Sequence, residues 1–96
     1  MGKESGNENQ QGIYFEGSGD SVQDPIIIKG ASSHMLGVAA EYRFIHHIYG
    51  RRNVDWKLTM QMLLREPHAI DLIRIELADG SIKNIYFDIS DFWGKE

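Results

Sequence analysis

The chain has 96 residues, 42% of them hydrophobic and 25% charged, and contains no cysteine. This length suits one small domain, and the lack of cysteine excludes disulfides, thiolate metal sites and a cysteine nucleophile. The net charge of −4 argues against a dedicated nucleic-acid-binding protein, which usually carries an excess of Lys and Arg. No apolar run approaches the roughly 20 residues of a membrane span, and no secretory signal pattern opens the chain. We therefore expect a cytoplasmic protein without membrane attachment.

The first 24 residues differ in composition from the rest. They contain five acidic residues and one lysine, which together account for the whole net charge, and they are rich in Gly, Ser, Asn and Gln. Such a segment has too few apolar side chains to offset the entropy lost on ordering. We therefore predict a disordered acidic tail over residues 1–24 and a single domain over residues 25–96. One apolar triplet, residues 13–15, could dock on the domain or on a partner.

The domain is predicted to begin with a strand and a helix. The β-branched run at residues 26–28 follows Pro25 and predicts a strand buried on both faces. Ser32 or Ser33 can cap the start of the following helix, and Gly50 is suited to its end. The helix therefore extends to about residue 49.

Residues 54–64 show the clearest periodicity in the chain. Apolar and polar side chains alternate, with Leu63 as the exception, which predicts a long strand with one buried face. The face predicted to lie beneath the helix carries Trp56, Leu58, Met60, Met62 and Leu64. The opposite face carries Lys57, Thr59 and Gln61.

Two further strands, over residues 70–78 and 81–89, are joined by Asp79 and Gly80. Asp-Gly between two apolar runs predicts a hairpin with a two-residue type I′ turn. This turn places Glu76 opposite Lys83, a favourable cross-strand pair. The resulting fold is α+β, with one helix packed across a mainly antiparallel sheet in the order β-α-β-β-β.

The loop between the first strand and the helix is a candidate anion site. Free amides and the helix dipole attract negative charge at such a position. The residues that would form the site are Lys29, Gly30, Ser32, Ser33 and His34. Their spacing matches neither a P-loop nor a dinucleotide fingerprint, so an ordinary helix cap is the alternative interpretation.

The other polar residues do not form a recognisable catalytic or metal site. His46 and His47 are adjacent on the helix and point about 100° apart, so they cannot share a metal ion. Asp71 and Asp88 stand opposite each other in the predicted hairpin and could share a proton or bind a cation, or simply point into water. An acid–base pair also needs a pocket, for which the sequence gives no sign. We therefore expect no metal, no cofactor and no catalytic residue.

A small basic patch is expected near the end of the helix. It would combine Trp56 with Arg43, His47, Arg51, Arg52 and Lys57. The acidic tail would compete for this patch, so a nucleic-acid-binding role ranks behind the other functions considered.

The chain carries more apolar side chains than a single core needs. The predicted core stripe of the helix contains Met35, Val38, Ala39, Tyr42, Ile45, His46 and Tyr49. Phe44 and Ile48 lie opposite this stripe, whereas a surface helix normally has one apolar stripe. The far face of the sheet shows a similar excess, part of which Phe92 and Trp93 or residues 13–15 could cover. We predict a protein interface at Phe44, Ile48, Leu63, Leu72, Ile85 and Phe87, with cover by the chain's own segments as the alternative.

These observations favour a small non-enzymatic protein-binding domain. It would be a homodimer, or an inhibitor, adaptor or immunity-like protein whose acidic tail assists recognition of a basic partner. The alternative is a small-ligand or anion-binding domain that uses the loop over residues 30–34, with catalysis left open. A weak nucleic-acid-binding module is the third possibility.

Overall fold

A computed structural model describes residues 12–66 and 68–95. Within these residues, one helix packs against one face of a five-stranded mixed sheet, which confirms the α+β class. The elements are β1 (Tyr14–Glu16), β2 (Ile26–Lys29), α1 (His34–Tyr49), β3 (Trp56–Leu64), β4 (Ile70–Leu77) and β5 (Ile82–Asp88). The strand order is β1-β2-β5-β4-β3, and all neighbours are antiparallel except β2 and β5. No helix in this part of the chain is long and apolar enough to cross a membrane.

Strand β1 is an addition to the predicted order. It pairs with β2 and places Phe15 opposite Ile28, and the Phe15 ring lies 5.2 Å from the ring of Phe44. Residues 12–24, predicted as part of a disordered tail, thus include an edge strand held by the apolar triplet at residues 13–15. Residues 1–11 of the predicted tail lie outside the described residues.

The ends of α1 lie where the sequence predicts them. The Ser33 hydroxyl accepts a hydrogen bond of 3.2 Å from the Leu36 amide, which satisfies a free donor of the first turn. At the other end, Gly50 has a φ of 100°, and its amide donates to the carbonyl of His46. Both ends follow from local chemistry, because each uses a residue type suited to that cap.

The buried face of α1 matches the predicted stripe only in part, at Val38, Tyr42, Ile45 and Tyr49. Met35 is 80% exposed, and Ala39 and His46 are exposed as well. A Cβ atom at position 37 would overlap the ring of Phe92, so a residue without a side chain is needed where the C-terminal turn crosses the helix. The residues that face inward are Gly37, Ala40, Glu41 and Ile45.

Strand β3 changes faces in its middle. Its pairing with β4 shifts between Leu58 and Met60, which leaves Thr59 as a β-bulge. The Thr59 hydroxyl donates to the carbonyl of Arg74 on β4 over 3.1 Å. Beyond the bulge the alternation inverts, so the predicted burial of Met60 and Met62 beneath the helix is wrong.

The hairpin between β4 and β5 has a three-residue loop. The Leu77 amide donates to the Ser81 carbonyl, and Gly80 has a φ of 89°. Both the amide and the hydroxyl of Ser81 donate to the carboxylate of Asp79, which stabilises this loop over the predicted two-residue turn. Glu76 therefore pairs with Ile82 rather than Lys83. A shift of one residue moves each β5 side chain to the other face.

The main core lies between α1 and the sheet. The short turn after β5 closes one end, where Phe92 is fully buried. The largest buried members of this core include Ile26, Ile28, Ile45, Trp56, Ile73, Ile75, Phe87 and Phe92.

Candidate functional site

A cavity of about 180 Å³ lies on the helix side of the sheet. Its walls come from α1, β3, β4 and the C-terminal turn, and they combine polar and apolar side chains. The lining residues are His34, Val38, Gln61, Leu63, Asp71, Ile89 and Trp93. Gln61 reaches this cavity only because the bulge at Thr59 turns it toward the helix.

The carboxyl group of Glu41 is buried beside this cavity. Glu41 has no exposed surface and follows His34 and Val38 on the same stripe of α1. Neither of its oxygens makes a well-aligned hydrogen bond to the residues that the structure describes. Burial, followed by the neighbouring carboxyl of Asp71, raises the pKa of Glu41 from 4.5 to about 10. Glu41 is therefore a neutral acid at neutral pH.

A hydrogen-bonded chain connects Asp71 to the surface. Asp71 is 6% exposed, and its Oδ2 accepts a 2.9 Å hydrogen bond from the side-chain amide of Gln61. The carbonyl oxygen of Gln61 accepts from the Tyr42 hydroxyl over 3.1 Å. Burial raises the pKa of Tyr42, and the Arg52 guanidinium lies 5.3 Å from the centre of its ring. The carboxyl group of Asp71 is thus the acceptor at the inner end of this hydrogen-bonded chain.

The ring of His34 lines the same cavity. Its ring packs edge-on against Phe92 and Trp93, with centroids 5.7 and 5.3 Å away. These contacts bury its Nδ1 atom, which has no hydrogen-bond partner among the described residues. A buried polar atom without a partner is costly unless a ligand or water satisfies it.

The predicted anion loop binds groups of its own chain. The Gly30 amide donates to the carboxylate of Asp91 over 3.1 Å, and the His34 amide donates to the carbonyl of Lys95 over 3.0 Å. Ser33 caps the helix, whereas Lys29 and Ser32 are exposed. Internal acceptors thus already engage two of the donors that an anion would use, and anion binding there stays a prediction.

The hairpin register and the bulge in β3 place three of the six predicted interface residues on the helix side of the sheet. Phe87 has no exposed surface and Ile85 is 4% exposed, because both lie beneath α1. The bulge in β3 likewise turns Leu63 toward the core. Their predicted positions on an uncovered sheet face are wrong.

The remaining three predicted interface residues have different environments. Phe44 packs between Phe15 and Phe87, with centroids 5.2 and 5.8 Å away, so β1 covers it. Its predicted exposure is therefore wrong. Leu72 lies on the face opposite the helix and is 8% exposed, whereas Ile48 is 54% exposed on α1.

The other sequence-based sites are not assembled. Asp71 pairs with Phe87 and Asp88 with Ile70, so the two aspartates lie on opposite faces of the sheet. Arg52 packs on the rings of Tyr42 and Trp56, while His46 and His47 are exposed. The described residues contain no group of three or more His, Asp or Glu arranged to hold a metal ion.

The outer face of the sheet, opposite α1, has one polar and one apolar end. At the hairpin end, Lys57 pairs with Glu76 over 3.8 Å and Arg74 donates to Asn84 over 2.8 Å. At the other end, the register aligns Met62, Leu72 and Tyr86 across three adjacent strands. We call the apolar end the outer patch, which comprises Met60, Met62, Leu64, Leu72 and Tyr86. Ile70 lies on the same face but has no exposed surface.

Sequence reasoning missed Glu41, Gln61 and Trp93 as site residues. Glu41 did leave a signal, because it is an acid placed between alanines and an aromatic residue on an otherwise apolar helix. Gln61 left none, since its position in the alternating pattern assigns it to the wrong face. The role of Trp93 depends on where the C-terminal turn folds back on α1.

Comparison with known proteins gives no match. No protein-family model, curated protein or solved structure matches this chain. Function is therefore inferred from two surfaces of the fold, the helix-side cavity and the outer patch.

Proposed function

We propose that this protein is a non-enzymatic protein-binding domain that associates with a second copy of itself through the outer patch. The observation that carries this proposal is the aligned row of Met62, Leu72 and Tyr86, on a sheet face that α1 does not cover. Met62 is 45% exposed, and the neighbouring Met60 and Leu64 are half-buried. Apolar surface of this kind gains about 25 cal/mol per Å² when a partner removes it from water.

The layout of the outer face favours a self-complementary contact. Two copies related by a two-fold axis would bury the same patch on both sides, and the polar pairs Lys57–Glu76 and Arg74–Asn84 would form a rim. Methionine side chains adapt readily to such a contact. The bulge at Thr59 and the charge of Lys57 disfavour backbone pairing along β3. We therefore favour packing of the two sheets face to face.

A heterologous partner is the second form of the same proposal. The first 24 residues carry the whole net charge of −4, which would accelerate association with a basic protein. An inhibitor, adaptor or immunity-like role would follow from that arrangement. A cytoplasmic location belongs to the proposal as well, and cell fractionation tests it.

Sedimentation equilibrium of the full chain at micromolar concentration tests the dimer. We expect a mass twice the 11.0 kDa of the chain, and we expect Met62→Glu to restore the monomer with an unchanged circular dichroism spectrum. Met62 is 45% exposed in the monomer, so the two copies together lose burial worth roughly 1.5–3 kcal/mol, which raises the dissociation constant by on the order of 10- to 100-fold.

Met35→Glu is the matched control. Met35 is 80% exposed on α1, away from the outer patch, so this variant should remain dimeric. A wild-type chain that stays monomeric across the concentration range would contradict self-association. A mass that Met62→Glu and Met35→Glu change equally would show that the contact lies elsewhere.

A further inference from the structure

Among the described residues that line it, the helix-side cavity carries the carboxyl group of Asp71 and no Lys or Arg side chain. Asp71 is more than nine-tenths buried and lines the cavity, and Gln61 lies exposed at its mouth. A buried carboxylate without a positively charged partner lowers the stability of the fold unless a cation compensates its charge.

The apolar and aromatic walls suit a cation with a short stem. Trp93 is 44% exposed and offers its indole ring at the edge of the cavity, where a cation can pack against it. Val38, Leu63 and Ile89 form the apolar part of the wall. The volume of about 180 Å³ accommodates a small head group rather than a large ligand.

We propose that this cavity binds a cationic nitrogen group with several N–H donors, with Asp71 as its charge partner and Trp93 as its aromatic contact. A guanidinium fits this set best, because its planar fork supplies up to five donors and stacks on aromatic rings. The group can belong to a small molecule or to an arginine side chain of a partner. This site lies on the opposite side of the sheet from the outer patch. Cation binding and self-association can therefore be tested independently of each other.

Glu41 links this binding to proton release. Its fully buried carboxyl lies next to Asp71 and holds its proton because burial and that neighbour both disfavour a second negative charge. A bound cation offsets that charge, so Glu41 becomes a carboxylate and its proton passes to solvent. The other titratable or charged groups near this carboxyl are Asp71 on β4, Tyr42 on α1 and Arg52, which packs on Tyr42.

An NMR titration of the full chain with methylguanidinium chloride tests the site. We expect saturable shifts of the Trp93 indole N–H and the Gln61 side-chain amide. Methylurea has nearly the same shape without the charge and should leave these signals unchanged, as should sodium chloride at equal ionic strength. Methylammonium shows whether the planar head group is required, and an arginine-containing peptide shows whether a side chain can supply it. Inorganic phosphate tests the loop over residues 30–34 in the same spectra.

Matched variants identify the charge partner. Asp71→Asn should weaken methylguanidinium binding by roughly tenfold or more, because a buried charge partner is lost. Asp88→Asn makes the same change on the outer face of the sheet and should bind like the wild type. If Asp71→Asn fails to fold, Trp93→Ala replaces it, since Trp93 is 44% exposed and its loss should weaken binding without unfolding the chain.

Three results would overturn the proposal. These are an absence of saturable shifts with methylguanidinium, equal shifts with methylurea, and an affinity that neither Asp71→Asn nor Trp93→Ala changes. Calorimetry in two buffers of different ionisation enthalpy measures the proton released. Glu41→Gln should abolish that release while binding persists, and release that survives in Glu41→Gln would assign the proton to another group.

Discussion

The buried carboxyl of Glu41 gives this domain a specific dependence on pH. Replacing Glu41 by Gln keeps the size of the side chain but removes the ability to ionise. Because Glu41 has no exposed surface, the substitution changes the chemistry of one buried site and leaves the surface unaltered. The variant therefore isolates the contribution of this ionisation to the free energy of unfolding.

The sign follows from the two states of the group. In the folded chain the pKa of Glu41 is about 10, against an ordinary value of 4.5 that applies to the unfolded chain. Above pH 4.5 the unfolded chain releases a proton that the folded chain keeps. The stability contributed by the protonated acid is therefore fully present below pH 4.5 and is lost as the pH rises toward 10.

The magnitude is large for a small domain. Each pH unit within this window lowers the free energy of unfolding by about 1.4 kcal/mol. From about pH 5 to about pH 8 the loss amounts to roughly 4 kcal/mol. This is a substantial fraction of the roughly 5–15 kcal/mol that stabilises a typical domain.

Urea unfolding at a series of pH values measures this effect through tryptophan fluorescence. The free energy of unfolding of the wild type should fall relative to that of Glu41→Gln as the pH rises. Glu16→Gln, which changes an exposed glutamate on β1, should parallel the wild type. Parallel curves for the wild type and Glu41→Gln would refute the reasoning, because they would mean that Glu41 titrates alike in the folded and unfolded chains.

Two further substitutions test the packing around α1. Gly37→Ala should lower the free energy of unfolding by roughly 1–3 kcal/mol, because the added methyl group overlaps the ring of Phe92. Urea unfolding curves measure this change. An unchanged free energy of unfolding would mean that the Phe92 ring does not lie against Gly37. Phe15→Ala should destabilise the domain by roughly 3 kcal/mol or more and speed hydrogen exchange in β1 and β2, because Phe15 covers Phe44. A variant as stable as the wild type would show instead that β1 contributes nothing to the fold.

The elements of this fold could be predicted wherever the signal was local. Ser33 and Gly50 mark the ends of the helix, because capping depends on residue type within one turn of the chain. The apolar runs likewise mark the strands on either side of Asp79 and Gly80. These features give the α+β class without knowledge of any long-range contact.

The faces of these elements could not be predicted in the same way. The bulge at Thr59 and the three-residue loop ending at Gly80 each displace the register by one residue, and such a shift transfers side chains from one face of a sheet to the other. The predicted placement of Ile85 and Phe87 on the uncovered face of the sheet was wrong for this reason. Strand β1 was missed because its stability comes from Phe44, which lies far along the chain.

The candidate site shows the same division. The sequence already contains an acid on an apolar stretch of helix, Glu41, and an aspartate near the start of a strand, Asp71. Neither position identifies the other, because the two residues come from separate elements. Packing of α1 on the bulged sheet buries Glu41 next to Asp71 and turns Gln61 to donate to it. Only that tertiary arrangement removes the carboxyls from water, and the loss of water is what raises the pKa of Glu41 and leaves acceptors in the cavity for a cation.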